Sequence, residues 1–201
     1  SRHRDDEPAR PVRPDDRATR RGWLVKRATV PAVAFLACIL AANYATTRWG
    51  MVPVGFGLMA TAGTYFAGAT FVLRDLIQDL TGRRVVLVLI MWGAALSFAV
   101  SAPFIAIASA VAFGLSELAD LAIYQPLRRR GYVRAAVASN VVGSFVDTVA
   151  FLAIAGFPVW ASLPGQMAGK LTVTLAVVVG VVIVRALSRQ PVRAAGGGSH
   201  A

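Results

Sequence analysis

Several apolar runs in this chain are about as long as a bilayer is thick, and they contain carboxylates. Asp75, Asp79, Glu117, Asp120 and Asp147 all fall inside or at the ends of such runs, and Lys170 interrupts another. A run of about 20 residues crosses a hydrocarbon core of about 30 Å as a helix. An ionised group there costs several kcal/mol unless it is paired, protonated, or turned toward water or a ligand, so a charge in such a place defaults to a functional reading. The pattern predicts an all-α membrane protein with a polar site between its helices.

Composition agrees. Of 201 residues, 56% are hydrophobic and 15% are charged, against about 25% charged in an ordinary soluble domain. The formal charge of +11 would point to nucleic acid in a soluble chain. Here the basic residues gather at the ends of the apolar runs, which is how cytoplasmic loops are marked, and no soluble domain remains to carry a nucleic-acid site. Cys38 is the only cysteine, and His3 and His200 lie near the two ends of the chain. No metal site, no cofactor motif and no catalytic triad is legible.

Residues 1–27, rich in Arg, Asp and Pro, read as a disordered basic cytoplasmic tail. Within them Thr19-Arg20-Arg21-Gly22-Trp23-Leu24 resembles a twin-arginine export signal, but reads better as a basic flank holding the first helix end in the cytoplasm. Residues 28–187 read as a six-helix transmembrane domain and residues 188–201 as a flexible tail. Spans are predicted at 28–47, 61–80, 85–101, 103–124, 135–155 and 163–187. Residues 48–60, with Pro53, Gly55 and Gly57, read as an outer loop or short hairpin. With the N-terminus inside, the tail, Arg83 and Arg84, Arg128 to Arg134, and Arg185 to Arg193 share one side, and Arg48 alone faces the other. Both ends are therefore expected inside, in a multi-pass membrane protein.

Counting along each helix places the polar groups in depth. Asp75 precedes Arg83 by eight residues and Asp120 precedes Arg128 by eight, so both are expected about 12 Å from the inner boundary at 1.5 Å per residue. Asn43, Asp147 and Lys170 count to a second level about 20–25 Å from that boundary. Asp147 and Lys170 then share a level with opposite charges and are expected to pair. Glu117 lies one turn from Asp120 on the same face. Asp79 reads as a solvated helix end beside Arg83. Tyr44, Tyr65, Phe66, Phe71, Phe104, Phe113 and Tyr124 surround these levels, and Trp49 and Trp160 fit an interfacial belt. Ala37, Ala41 and Ala45 on the first helix, and Gly165 and Gly169 on the sixth, form small-residue faces suited to close helix packing. A flat, donor-rich heterocycle stacked on interior rings, with a carboxylate at its N–H edge and an amide such as Asn43 or Gln166 nearby, fits this inventory.

At these residues the chain resembles a known family. The resemblance rests on Asn43, on Gly63-Thr64-Tyr65-Phe66 with Leu73-Arg74-Asp75-Leu76 and Gly82, and on Ser116-Glu117-Leu118-Ala119-Asp120 with Leu127-Arg128. It extends to Gly143-Ser144-Phe145-Val146-Asp147-Thr148 and to Lys170. Together these are similar to the queuosine precursor transporter family, also called the vitamin uptake transporter family, over about residues 28–187. The second helix lacks the proline expected near Phe66, and Asp79 stands where related chains can carry other residues. The resemblance implies a six-helix, multi-pass importer of 7-deazaguanine bases in a bacterial inner membrane, with Asn43, Asp75, Asp120, Asp147, Thr148 and Lys170 at or beside the site.

The expected substrate-binding set is thus Asn43, Tyr65, Phe66, Asp75, Glu117, Asp120, Asp147, Thr148, Gln166 and Lys170. No phosphate-binding loop is present, so the drive must come from an ion or proton gradient, from trapping after entry, or from a partner. Asp120 and Asp147 are the candidate proton carriers. Two other readings compete. One is a vitamin-binding subunit that docks on an energising ATPase complex, with the Ala37/Ala41/Ala45 stripe as its docking face; self-association is a further candidate. The other is an intramembrane aspartyl protease built on Asp75 and Asp120, which needs those carboxyls about 3 Å apart.

Overall fold

The computed structural model describes residues 14–127, 129 and 131–188. Of the tails expected at residues 1–27 and 188–201, residues 1–13 and 189–201 lie outside the described residues. Six helices follow in order: α1 (Pro14–Trp49), α2 (Thr64–Thr81), α3 (Arg83–Val100), α4 (Pro103–Leu127), α5 (Tyr132–Ile154) and α6 (Val159–Ser188). Between α1 and α2 lies an antiparallel hairpin of β1 (Met51–Gly55) and β2 (Leu58–Thr61). The helices run alternately toward and away from this hairpin. The molecule therefore has a hairpin end and an opposite end, where the α2–α3 and α4–α5 turns lie.

Helix α1 begins at Pro14, so the part of the expected disordered tail from residue 14 onward is helical backbone. The local sequence explains it. Proline suits the first helical turn.

Each connection is short. Gly82 alone separates α2 from α3, at φ 89°, a conformation that only glycine adopts without strain. Its N–H closes α2 on the Gln78 carbonyl at 2.8 Å. At the hairpin tip Phe56 and Gly57 form a two-residue loop, both at positive φ (53° and 73°), the sense of turn that matches the twist of paired strands. The hairpin is closed at its base by Ala62 N–H to Gly50 carbonyl, 2.9 Å.

The burial pattern is that of a protein in lipid. Phe35, Ile39, Ile77, Val86 and Phe113 form an apolar core. Beside it, Asn43, Arg74, Glu117, Asp147, Gln166 and Lys170 are all buried. Large apolar side chains face outward instead. Helix α3 alone exposes Val85, Leu87, Val88, Met91, Trp92, Leu96, Phe98 and Val100, far more apolar surface than a soluble monomer tolerates. Among the described residues Arg27–Trp49, Arg83–Val100 and Pro103–Leu127 are long and apolar enough to cross a membrane, and Ala138–Ile154 is a shorter apolar helix. Helix α2 carries Arg74, Asp75 and Asp79 within its 18 residues, so its polarity, not its length, sets it apart.

Small residues bring α6 against α2 and the hairpin. A Cβ at Gly169 would lie 2.5 Å from Thr64 Cγ2, one at Gly68 would lie 3.0 Å from Lys170 Cα, and one at Gly165 would collide with the Met59 carbonyl. The expected Gly165/Gly169 face is therefore a packing face. The Ala37/Ala41/Ala45 stripe is not one surface: Ala37 is exposed and Ala45 is buried.

Candidate functional site

Two cavities open between the helices, at different depths. The hairpin-side cavity is small, about 50 Å³. It takes Asn43 and Thr46 from α1, Thr61 from β2, and Thr70 and Phe71 from α2. It also takes Phe113 from α4, Asp147, Thr148 and Phe151 from α5, and Gln166 and Lys170 from α6. The turn-side cavity is wider, about 530 Å³, and is lined by Asp75, Gln78, Asp79, Arg83, Glu117, Asp120, Leu121, Tyr124, Ser139 and Asn140.

The hairpin-side cavity is built around a buried ion pair. Lys170 Nζ donates to Asp147 Oδ2 at 2.6 Å and to Thr148 Oγ1 at 2.7 Å, and lies 5.3 Å from the centre of the Phe71 ring. The Thr148 hydroxyl passes its own proton to the Ser144 carbonyl at 2.8 Å, which aims its oxygen at the ammonium. Pairing, hydrogen bonding and a ring face together offset the loss of water around both charges.

The amides are fixed in the same way. Asn43 Nδ2 donates to Ser97 Oγ at 2.8 Å, and that hydroxyl donates to the Gly93 carbonyl at 2.7 Å. Gln166 Nε2 donates to Thr61 Oγ1 at 2.8 Å, and Gln166 Oε1 accepts from Thr64 Oγ1. Gln166 thereby ties α6 to the hairpin and to the start of α2. A cavity lined this way offers carbonyl and carboxylate acceptors, an ammonium donor and aromatic walls.

The turn-side cavity is organised by Arg74, which is 2% exposed. Its guanidinium meets Asp75 Oδ1 through Nε at 3.0 Å and through Nη2 at 2.9 Å, and meets Glu117 Oε1 through Nη1 at 2.5 Å. Nη2 also reaches Asp120 Oδ2 at 3.2 Å and Asn140 Oδ1 at 3.0 Å. Asn140 Nδ2 donates back to Asp75 Oδ2 at 3.3 Å, and Arg83 Nε stands 3.8 Å from Glu117 Oε2. One arginine thus gathers carboxylates from α2 and α4 and an amide from α5, using the planar fork that lysine lacks. Among the described residues, Asp120 Oδ1 and Arg83 Nε are buried atoms with no hydrogen-bond partner.

Most of the expected set is gathered by this geometry, but into two chambers. Asn43, Asp147, Thr148, Gln166 and Lys170 line the first; Asp75, Glu117 and Asp120 line the second. The two depth levels read from the sequence correspond to these two groups, and the Asp147–Lys170 pair forms as expected. Tyr65 and Phe66 belong to neither. They are 41% and 43% exposed, because the buried face of α2 runs through Thr64, Gly68, Thr70, Arg74 and Ile77. The aromatic walls are Phe71, Phe113 and Phe151 instead. Asp75 Oδ1 and Asp120 Oδ2 both accept from Arg74 Nη2, an arrangement unlike the shared proton of a protease dyad.

The sequence reading overlooked Arg74 and Asn140 as site residues. A signal was available for Arg74. Three carboxylates at one depth need a cation nearby, and Arg74 is the only basic residue in that stretch of α2. Asn140 carries no such signal; only the packing of α5 on α4 brings it there.

Residues 98–187 match a family model described as "Putative vitamin uptake transporter". This stretch is similar to the vitamin uptake transporter family. It spans α4 to α6 almost entirely, and so includes Glu117, Asp120, Asn140, Asp147, Thr148, Gln166 and Lys170. The matched segment supplies most of the turn-side lining, whereas α1, the hairpin and α2 supply more of the hairpin-side lining. No curated protein and no solved structure matches the chain. Family, apolar helices and buried polar chambers together make this a multi-pass membrane protein of transporter type, for which an enzymatic role is not implied.

Proposed function

We propose that the chain imports a planar, purine-like base, of the 7-deazaguanine class used as queuosine precursors, across a bacterial inner membrane. In this reading all six helices cross the bilayer, with both chain ends and the turn-side cavity on the cytoplasmic side. The observation that carries the substrate class is the hairpin-side cavity. Flat rings at Phe71 and Phe113 stand beside Asp147, Lys170, Asn43 and Gln166. Lys170 engages Asp147 through Oδ2, which leaves Oδ1 for the N–H edge of a base. Asn43 is held by its amide nitrogen, which leaves its carbonyl oxygen for a second donor on the ligand. Transporter sites built between helices near mid-membrane have this character. The carboxylate-rich turn-side cavity is the inner half of the same route, and a proton is the candidate coupling ion.

A panel of guanine, the nitrile and aminomethyl deazaguanines, biotin and thiamine tests the reading. Thermal shifts of the purified protein and uptake by cells are expected with the deazaguanines. Stabilisation by biotin or thiamine with no response to any purine-like base would overturn the substrate class and favour the vitamin-binding alternative. Uptake in cells lacking every energising ATPase module separates a stand-alone importer from a docking subunit.

A further inference from the structure

The two cavities share no lining residue, yet they nearly touch. On α2 the last residue of the hairpin-side cavity is Phe71 and the first of the turn-side cavity is Asp75. On α4 the corresponding pair is Phe113 and Glu117. Each step is one helical turn, about 6 Å at 1.5 Å per residue. What fills that turn is specific. The rings of Phe71 and Phe113 stack with centroids 5.8 Å apart and an interplanar angle of 11°. Phe35 of α1 braces Phe113 edge-on at 6.1 Å. Beneath the rings, Arg74 and Glu117 join the same two helices through an ion pair at 2.5 Å. Phe71 also lies 5.3 Å from the Arg74 guanidinium carbon and 5.3 Å from Lys170 Nζ, so one ring contacts the charged centre of each chamber.

We propose that the Phe71–Phe113 stack is the gate between the two chambers, with the Arg74–Glu117 pair as its second bar. The proposal rests on the transport reading above, but not on which base is carried. A flat ligand in the hairpin-side cavity has the same ring chemistry as Phe113. It can take the place of Phe113 against Phe71, so that parting of the rings is offset by stacking on the substrate. Phe71 keeps a cation near its face on either side throughout. The aromatic rings then favour planar cargo at the point of passage, whatever polar groups hold it beforehand.

The test reads access, not transport. Cys38 is the only cysteine, so a Cys38→Ala background with Gln78→Cys places a single thiol in the turn-side cavity. The full chain is reconstituted in vesicles, and a membrane-impermeant thiol reagent is added on the hairpin side. With the stack intact, labelling is expected to be slow. With Phe113→Ala it is expected to rise about tenfold or more, the change from an open form of at most about 10% to one that dominates. Phe71→Leu repeats the measurement if Phe113→Ala does not insert. Phe113→Trp, which keeps a ring in place, is expected to stay slow. Labelling that is fast in the parent, or unchanged in the ring-removing variants, overturns the gate. If ring removal opens the path and no purine-like base binds the parent, the gate stands and the substrate assignment falls. If the bases bind and access is unmoved, the reverse holds.

Discussion

Lys170 Nζ lies 2.6 Å from Asp147 Oδ2, with both side chains buried between α5 and α6. The pair follows from two charges placed at one level of the bilayer on separate helices, neither with water to retreat to. Removing one partner leaves the other uncompensated. Lys170→Met is expected to destabilise the protein by about 3–5 kcal/mol. The double variant Asp147→Asn/Lys170→Met is expected to recover much of that stability while uptake stays abolished. Thermal unfolding in detergent, alongside an uptake assay, checks both halves.

Arg74 supports the other chamber, and its chemistry is not replaceable by charge alone. Arg74→Lys keeps the charge but cannot reach Asp75, Glu117, Asp120 and Asn140 together, because an ammonium lacks the guanidinium fork. It is expected to lower the unfolding temperature and the uptake rate. Arg74→Gln is expected to lose more, about 3–5 kcal/mol, by stranding buried carboxylates. Adding Glu117→Gln to Arg74→Gln is expected to restore part of that loss, measurable as a rise in unfolding temperature.

Helix α6 sits close to α2 only because glycines allow it. Gly169→Val is expected to cost about 1–3 kcal/mol by overpacking, since the new side chain meets Thr64 at 2.5 Å or less from its first carbon. It is also expected to weaken ligand-induced stabilisation, because Lys170 moves with the backbone. Gly114 is the contrast. A Cβ there meets nothing within 4 Å, so Gly114→Ala is expected to stabilise α4 by about 0.5–1 kcal/mol through helix propensity alone. Paired melts of the two variants separate crowding from any general intolerance of the fold to substitution.

Tyr65 and Phe66 offer a sharp check on the placement of the aromatic walls. Both point away from the chambers, so Tyr65→Ala and Phe66→Ala are expected to leave substrate-induced thermal shifts at the parental level. Phe71→Ala is expected to abolish them. A loss of ligand response in the Phe66 variant alone would mean that the wall is on the wrong face of α2.

The sequence carried the depth of the polar groups well, because a helix converts residue count into distance with little error. Asp75 and Asp120 fell at one level, Asp147 and Lys170 at another, and the contacts follow those levels. The rotation of each residue about its helix was less legible. Tyr65 and Phe66 sit within one turn of the cavity-lining Ala67 and were expected inside. In a membrane helix hydrophobicity marks the outside and the inside alike, so aromatic residues do not announce which way they face. The same ambiguity hid Phe71 as the ring between two cations. Asn140 stayed hidden for another reason: its role exists only once α5 is laid against α4. The hairpin was foreshadowed by Pro53, Gly55 and Gly57, whereas the helical backbone from Pro14 was masked by the dense charge that follows it.

Gly82 leaves no slack between α2 and α3. A tilt of α2 large enough to part Phe71 from Phe113 must swing α3 with it, since a single residue joins the two axes. Helix α3 presents most of its large side chains outward, so that swing ploughs through acyl chains. If those rings are the gate proposed above, the stiffness of the surrounding lipid becomes a brake on the same motion that they resist, and passage would be tied to the membrane around the protein.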